Sequence, residues 1–269
     1  VSALEACWVL LAGVGAGTIN SIVGSGTLIT FPTLLLLGYP PLTANVSNNI
    51  GLVAGGASAS WGYRRELAGQ RALLTRLLPM SIAGSMLGAA LLLVLPAAAF
   101  RAVVPVLIVI ALVLVIFGPR IQRAARARRA QPGSQSAAPL DRLAGPRDSA
   151  ASGWLLAGAL LAGAYGGYFG AAQGVLLMGI FSALSRESLQ RLNGLKNVLV
   201  TFVNLVAAAA FLIFAREHVD WGVVGLIAVG SLLGGLLGAH LGRRLPAPVL
   251  RSIIVVVGVV AIVKMVWFP

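Results

Sequence analysis

One interrupted stretch occurs twice in this chain, and it limits what the chain can fold into. The first copy reads Gly24-Ser25-Gly26-Thr27, then a short apolar run, then Ala44-Asn45-Val46-Ser47-Asn48-Asn49. The second reads Ala172-Gln173-Gly174-Val175, a short apolar run, then Leu192-Asn193-Gly194-Leu195-Lys196-Asn197. The offset is constant at 148 residues, from 26 to 174, from 45 to 193 and from 49 to 197. Each copy sets a glycine break, a run too short to span a bilayer and an amide cluster inside apolar sequence. Amides are costly in hydrocarbon unless they find partners or line a cavity. Interrupted segments at matching positions of two halves point to the binding site of a transporter.

The surrounding sequence is apolar enough to make the bilayer the solvent. Of 269 residues, 58% are hydrophobic and 10% are charged, with a mean hydropathy of +0.94, whereas soluble domains carry about 25% charge. The apolar runs are long and do not alternate, which predicts spanning helices and not barrel strands. The net charge of +13 reads as the arginine excess of cytoplasmic loops, so no nucleic-acid partner is expected. Cys7 is the single cysteine, which excludes an internal disulfide and any multi-cysteine metal site. No stretch reads as a cleaved signal peptide.

Along the chain, five elements are expected in the first half: 6–22 with Gly13, Gly15 and Gly17; a short 27–37 broken by Pro32; 45–61; 77–95 with Gly84 and Gly88; and 102–118. Residues 120–151 hold seven arginines against Asp141 and Asp148, punctuated by Pro and Gly, and read as a basic, largely disordered cytoplasmic linker. The second half repeats the order with 154–170, a short 175–184, a polar connection 185–196, then 197–214, 221–241 with Gly230, Gly234 and Gly238, and 252–268. Leu95-Pro96 with Arg101 recurs as Leu245-Pro246 with Arg251, at an offset of 150. The duplication therefore covers nearly the whole chain. The expected organisation is a first transmembrane repeat over 1–118, the linker over 119–151 and a second repeat over 152–269.

Positive charge sets orientation. Loops with Arg64, Arg65, Arg71 and Arg76, with Arg186 and Arg191, and with Arg243 and Arg244 belong inside, and loop 38–44 and the loop of Glu217 and Asp220 belong outside. Equivalent loops then lie on opposite sides. The fold class expected is an all-α polytopic membrane protein built of two five-element repeats of inverted topology. Each repeat holds a broken or re-entrant glycine-rich hairpin, and both termini lie outside. Parallel repeats of four crossings are the alternative, and they require one basic loop to face out.

The candidate substrate-binding residues are Ser25, Gly26, Asn45, Asn48, Asn49, Gln173, Gly174, Asn193, Lys196 and Asn197. Amides can donate to a substrate's oxygens or bond helices to one another. Glycines before short helices either let the backbone approach an anion at a helix N-terminus or allow tight packing. Lys196 either supplies the fixed positive charge at the site or snorkels at the membrane edge. No nucleotide-binding loop, no metal-ligand spacing and no nucleophile with a base is present, so no cofactor, no metal, no catalytic residue and no enzyme activity are expected.

Several of these segments carry a resemblance. Val23-Gly24-Ser25-Gly26, the stretch 44–49, Gly163-Ala164-Tyr165-Gly166-Gly167-Tyr168-Phe169-Gly170, Asn193-Gly194-Leu195-Lys196-Asn197 and Val219-Asp220-Trp221 together resemble the TauE/SafE family of membrane proteins over about residues 12–251. Ser25 and Gln173 stand where that family often has a fuller glycine run, and Ser47-Asn48-Asn49 lacks the lysine often found there. The resemblance implies export or uptake of small sulfur-containing or carboxylate anions such as sulfite, sulfonates or sulfoacetate, across the cell inner membrane. The expected partners are a small anionic substrate, the lipid bilayer and, in a homodimer, a second copy of the chain. The other function class is a non-transporting membrane scaffold or assembly component.

Overall fold

The computed structural model describes residues 2–130, 149–185, 187–241 and 247–267. The described residues form ten α-helices and one 3-10 turn, Arg216–His218, and no strand. The first half comprises α1 (Ala3–Ile22), α2 (Thr27–Leu36), α3 (Pro41–Gly62), α4 (Arg71–Val94) and α5 (Ala97–Ala130). The second comprises α6 (Ser149–Tyr168), α7 (Gln173–Leu184), α8 (Leu189–Phe214), α9 (Trp221–Leu241) and α10 (Ala247–Trp267). In a bilayer only a helix satisfies its backbone within its own segment, and unalternated apolar runs follow that rule. Among the described residues, five helices, including α1, α4 and α8, are long and apolar enough to cross a membrane. At 1.5 Å per residue, the ten residues of α2 reach about 15 Å, half of a hydrocarbon core of about 30 Å.

Several helices start earlier than the sequence reading has them, α4 at Arg71 and not at 77, so that Arg71 and Arg76 lie on helix and not in a loop, and three further differences bear on the site. Helix α5 continues to Ala130, so the arginines from Arg120 onward begin on helix; the rest of the expected linker, 131–148, lies outside the described residues. Helix α3 starts at Pro41, whose fixed φ suits a first helical turn, which puts Asn45 a turn into the helix. Helix α8 starts at Leu189 behind Ser188, whose hydroxyl accepts from the Arg191 N–H. Asn193 and Lys196 therefore lie on a helix and not in a connection, and Asn197, expected at a helix start, lies two turns into it.

Small residues set how the helices meet. On α1 and α9, Gly13 lies against Ile227 and Gly230, Gly17 against Ser231 and Gly235, and Gly238 against Thr18. On α4 and α6, Gly163 lies against Ser81, Gly167 against Ser85 and Gly88 against Ala164 and Tyr168. In both pairs the numbers rise together, so the helices run the same way. On α3 and α8, Gly56 meets Thr201 and the Tyr63 carbonyl lies near Gly194, while the Gln70 amide beyond α3 donates to the Arg191 carbonyl at 3.4 Å. Here one number rises as the other falls, so α3 and α8 are antiparallel. Without a hydrophobic force between helices in lipid, such seams rest on close backbone approach and on polar bonds. The Ser85 hydroxyl donates to the Val203 carbonyl at 2.7 Å and the Ser58 hydroxyl to the Leu232 carbonyl at 3.0 Å. Apolar side chains such as Leu11, Leu91, Val106, Ile213 and Val256 face outward, as a lipid-bathed surface requires.

A side chain at Gly88 has no room, because its Cβ would stand 1.9 Å from the Ala164 carbonyl oxygen. We expect Gly88→Ala to destabilise the protein by about 1–3 kcal/mol through overpacking. Gly225→Ala on α9 meets nothing within 4 Å and should be neutral or stabilising by up to about 1 kcal/mol. Thermal unfolding in detergent, compared between the two variants, checks this.

Candidate functional site

The two breaks meet each other. After α1 the chain turns through Gly24 at φ +85°, and after α6 it turns through Gly170 at φ +77° and Ala172 at φ +60°. Gly24 and Ala172 are 148 residues apart, so both copies use the left-handed region at the same step, once without the glycine that region favours. The N–H of Gly174 donates to the carbonyl of Gly24 at 3.0 Å. A Cβ on Gly24 would stand 2.5 Å from the Cα of Gly174, so this crossing accepts only glycine. Both glycines are also needed by a third residue: a Cβ at either would approach Cδ of Lys196, at 3.2 Å and 2.9 Å.

Lys196 is fully buried, which excludes snorkelling. Its ammonium donates to the carbonyls of Asn20 at 3.0 Å and Ser21 at 3.2 Å, and Asn197 Nδ2 donates to the Ser21 carbonyl at 3.3 Å. These are terminal carbonyls of α1, which lack helical partners and carry the negative end of the helix dipole. The other half answers in kind. Asn45 Nδ2 donates to the carbonyl of Tyr168 at the end of α6, at 3.1 Å, and Tyr168 is 148 residues from Asn20. Each broken helix is thus closed by a side chain from the long helix of the opposite half.

The candidate residues separate into two groups. Asn45, Asn48, Lys196 and Asn197 have partners within the protein; Asn48 accepts from the Thr30 hydroxyl and donates to Thr27 Oγ1 at 3.5 Å. Ser25 Oγ, Asn49 Oδ1, Asn193 Oδ1 and both amide atoms of Gln173 are buried without a partner. Gln173 packs on the bare backbone of Gly166. The Gly26 N–H lies 3.5 Å from Asn20 Oδ1, and the N–H groups of Gln173, Leu28 and Ile29 already serve the carbonyls of Gly170, Ser25 and Gly26. The free polar atoms at the crossing therefore come mainly from side chains and less from helix N-termini. Sequence reasoning missed Ser21 and Tyr165, whose hydroxyls are also buried and unpartnered. Ser21 closes the first glycine-rich segment just before the break, which was the available signal; nothing in the sequence distinguishes Tyr165.

A cavity of about 150 Å³ opens beside the crossing, lined by Ile22, Val23, Val115, Pro119, Gln122, Val175, Met178, Leu189 and Asn193. It admits a group of a few heavy atoms. A larger one of about 770 Å³ lies at the ends of α3 and α9, with Trp61, Arg64, Arg65, Glu66 and His240 on its wall. Arg64 there stacks over the Trp61 ring at 4.8 Å.

The two groups should behave differently. Asn48→Ala removes bonds that hold α2 on α3 and should cost about 1–3 kcal/mol of stability. Gln173→Met removes a buried amide with no partner and should leave the melting temperature unchanged or raise it, since an unsatisfied buried polar group costs about 1–3 kcal/mol. Melting curves of the two purified variants check the assignment.

Comparison with known proteins agrees with this architecture. The chain is 27% identical over 258 residues to a probable membrane transporter protein of Haemophilus influenzae, covering 95% of this chain and 92% of that one. It is 26% identical to the probable membrane transporter protein ORF9 of a Sinorhizobium species, covering 94% and 89%. It is also 26% identical to the probable membrane transporter protein YfcA of Escherichia coli, covering 94% and 86%. No solved structure matches the chain significantly. The model of the family described as sulfite exporter TauE/SafE matches residues 9–265, and the chain belongs to that family.

Proposed function

We propose that this membrane transporter of the TauE/SafE type moves a small anion, of the sulfite, sulfonate, sulfoacetate or small carboxylate class, across the cell inner membrane through the junction of two inverted halves. The observation that carries the reading is Lys196. A buried charge is costly unless paired, and among the described residues the ammonium's partners are two carbonyls, with no carboxylate beside it. An anion at the crossing supplies the missing counter-charge. Ser25 and Gln173 then donate through a hydroxyl and an amide Nε2 that have no other bond to make. Asn49 and Asn193, whose unpartnered atoms are acceptor Oδ1 oxygens, donate once their amides turn Nδ2 toward the anion, and Asn45, Asn48 and Asn197 hold the helices that present them. The positive ends of α2 and α7 at Gly26 and Gly174 add to the field at the same place.

Inversion is supported by the antiparallel run of α3 and α8, which are equivalent helices, and by the exchange of partners in which α1 packs on α9 as α6 packs on α4. An axis that relates antiparallel equivalents lies in the membrane plane. In a chain with Cys7→Ser, a cysteine at Pro40 should be labelled by an impermeant thiol reagent from one face of membrane vesicles and a cysteine at Gln190 only from the other. Labelling of both from one face would mean parallel repeats.

The described carboxylates, Glu5, Glu66, Glu187, Glu217 and Asp220, all lie at helix ends or in connections, so a carboxylate proton carrier within the spans is not part of the proposal. The membrane potential alone favours outward movement of an anion by about 2.3 kcal/mol per charge per 100 mV, roughly a fiftyfold gradient for a monoanion. In proteoliposomes holding sulfite, sulfoacetate, taurine or small carboxylates in turn, flux of the anionic members should follow a potential set with potassium and valinomycin at equal pH and without sodium. Lys196→Met should reduce their apparent affinity by tenfold or more, as expected for loss of a charged hydrogen bond of about 1.5–3 kcal/mol. Flux indifferent to the potential but driven by a pH or sodium gradient overturns the uniport scheme.

A further inference from the structure

The two halves match in element order and differ in the side chains beside the crossing. On one side of the Gly24–Gly174 crossing four rings pack together. Phe31 of α2 meets Phe169 edge-on with centroids 5.1 Å apart, and Phe100 of α5 meets Tyr168 at 5.8 Å and Phe169 at 6.4 Å. Phe31, Phe100 and Phe169 are essentially fully buried. The duplication identifies what stands at the matching places of the other half. Phe31 corresponds to Gly179, Phe169 to Ser21 and Tyr168 to Asn20 at the offset of 148, and Phe100 to Leu250 at the offset of 150. Three of four rings are thus replaced by a glycine, a serine and an asparagine. A Cβ at Gly179 meets nothing within 4 Å.

The cavity of about 150 Å³ lies on the side of these small residues. Its wall includes Ile22, Val23, Val175, Met178 and Asn193. Their counterparts on the ring side are Gly170, Ala171, Thr27, Thr30 and Asn45. Val175 and Met178 are buried as Thr27 and Thr30 are, but border the cavity, whereas Thr27, Thr30 and Asn45 are held by side-chain hydrogen bonds. Helix α5 measures the separation: Phe100 lies in the rings and Val115 on the cavity, fifteen residues apart, or about 22 Å along the axis. The rings and the cavity are therefore separate, and the unpartnered atoms of Ser21, Ser25 and Gln173 belong to the two breaks at the crossing.

We infer that the Phe31–Phe100–Tyr168–Phe169 cluster is a gate, closed in this conformation, and that the cavity between α5, α7 and α8 is the open entrance to the same site. This inference rests on the transport reading. A route open at both ends would dissipate the gradient that drives it, and two identical ends would give the chain no preferred resting side. Replacing rings by Gly179, Ser21 and Asn20 removes the apolar contact that holds one end shut, so the resting conformation opens there. Phe31 is the central residue of the gate, because it packs edge-on against Phe169 and lies one turn from Thr27 on the same face of α2, next in sequence to Thr30, which with Thr27 bonds Asn48.

The test needs no substrate, so its failure leaves the anion reading untouched and the reverse holds as well. In the Cys7→Ser chain in oriented membrane vesicles, the equivalent positions Thr30→Cys and Met178→Cys are compared by their rate of reaction with an impermeant methanethiosulfonate. Met178→Cys should react from one face at least tenfold faster than Thr30→Cys reacts from either. Phe31→Leu, which keeps an apolar side chain, should raise the Thr30→Cys rate tenfold from the opposite face. Gly179→Phe, which enters open space, should lower the Met178→Cys rate by a similar factor. Folding of each variant is followed by its elution profile and melting curve. Equal rates at Thr30→Cys and Met178→Cys, or a Thr30→Cys rate unmoved by a folded Phe31→Leu variant, overturns the gate.

Discussion

The structure depends on one constraint: two helices end inside the protein, where their last carbonyls are buried among other helices. A helix end leaves carbonyls and N–H groups unpaired, and in hydrocarbon each costs several kcal/mol. Here α1 stops at Ile22 and α6 at Tyr168, and each stub is closed by a donor from the opposite half, Lys196 and Asn197 for the first and Asn45 for the second. That exchange ties the halves together at their centre. It also explains why the polar residues occur twice at one offset, since every break needs its own donor.

The rest of the architecture follows from bringing those donors close. Long helices must approach the broken ones at backbone distance, and the glycine seams of α1 with α9 and α4 with α6 allow it. The same glycines that permit the breaks also make room for the lysine stem, so Gly24 and Gly174 serve geometry and electrostatics together. What remains at the crossing is a buried ammonium and a set of hydroxyl and amide atoms with no partner. A stable core does not retain such atoms without use, because apolar replacements are readily available and cost less. The functional proposal stands on that surplus, and the gate stands on the aromatic cluster packed beside it.

Much of the fold was legible in the residues. Hydropathy and unalternated runs determine an all-helical membrane protein, because lipid leaves the backbone no other way to satisfy itself. The glycine breaks and the short runs after them determine where α2 and α7 stand, and the constant offset pairs the positions of the two copies. The bounds of α3, α5 and α8 were less legible. Amides and arginines lower local hydropathy, yet Asn45, Asn193 and Arg120 all sit on helix, since tertiary contacts outweigh local propensity.

The candidate site was legible as a set and not as roles. Sequence placed Asn48 and Asn49 side by side with the same chemistry; only packing puts Asn48 against Thr27 and Thr30 and leaves Asn49 Oδ1 free. Lys196 could have faced lipid headgroups or the protein centre, and that depends on where α8 begins and which face it buries. The partner of each donor lies about 120 to 180 residues away, a distance at which no local pattern reports contact. Residue type and spacing determined that this chain carries paired polar breaks within a membrane. The tertiary structure alone decided which of those polar groups the protein consumes to hold itself together and which it leaves free, because that division is made by the depth and direction at which the two halves cross.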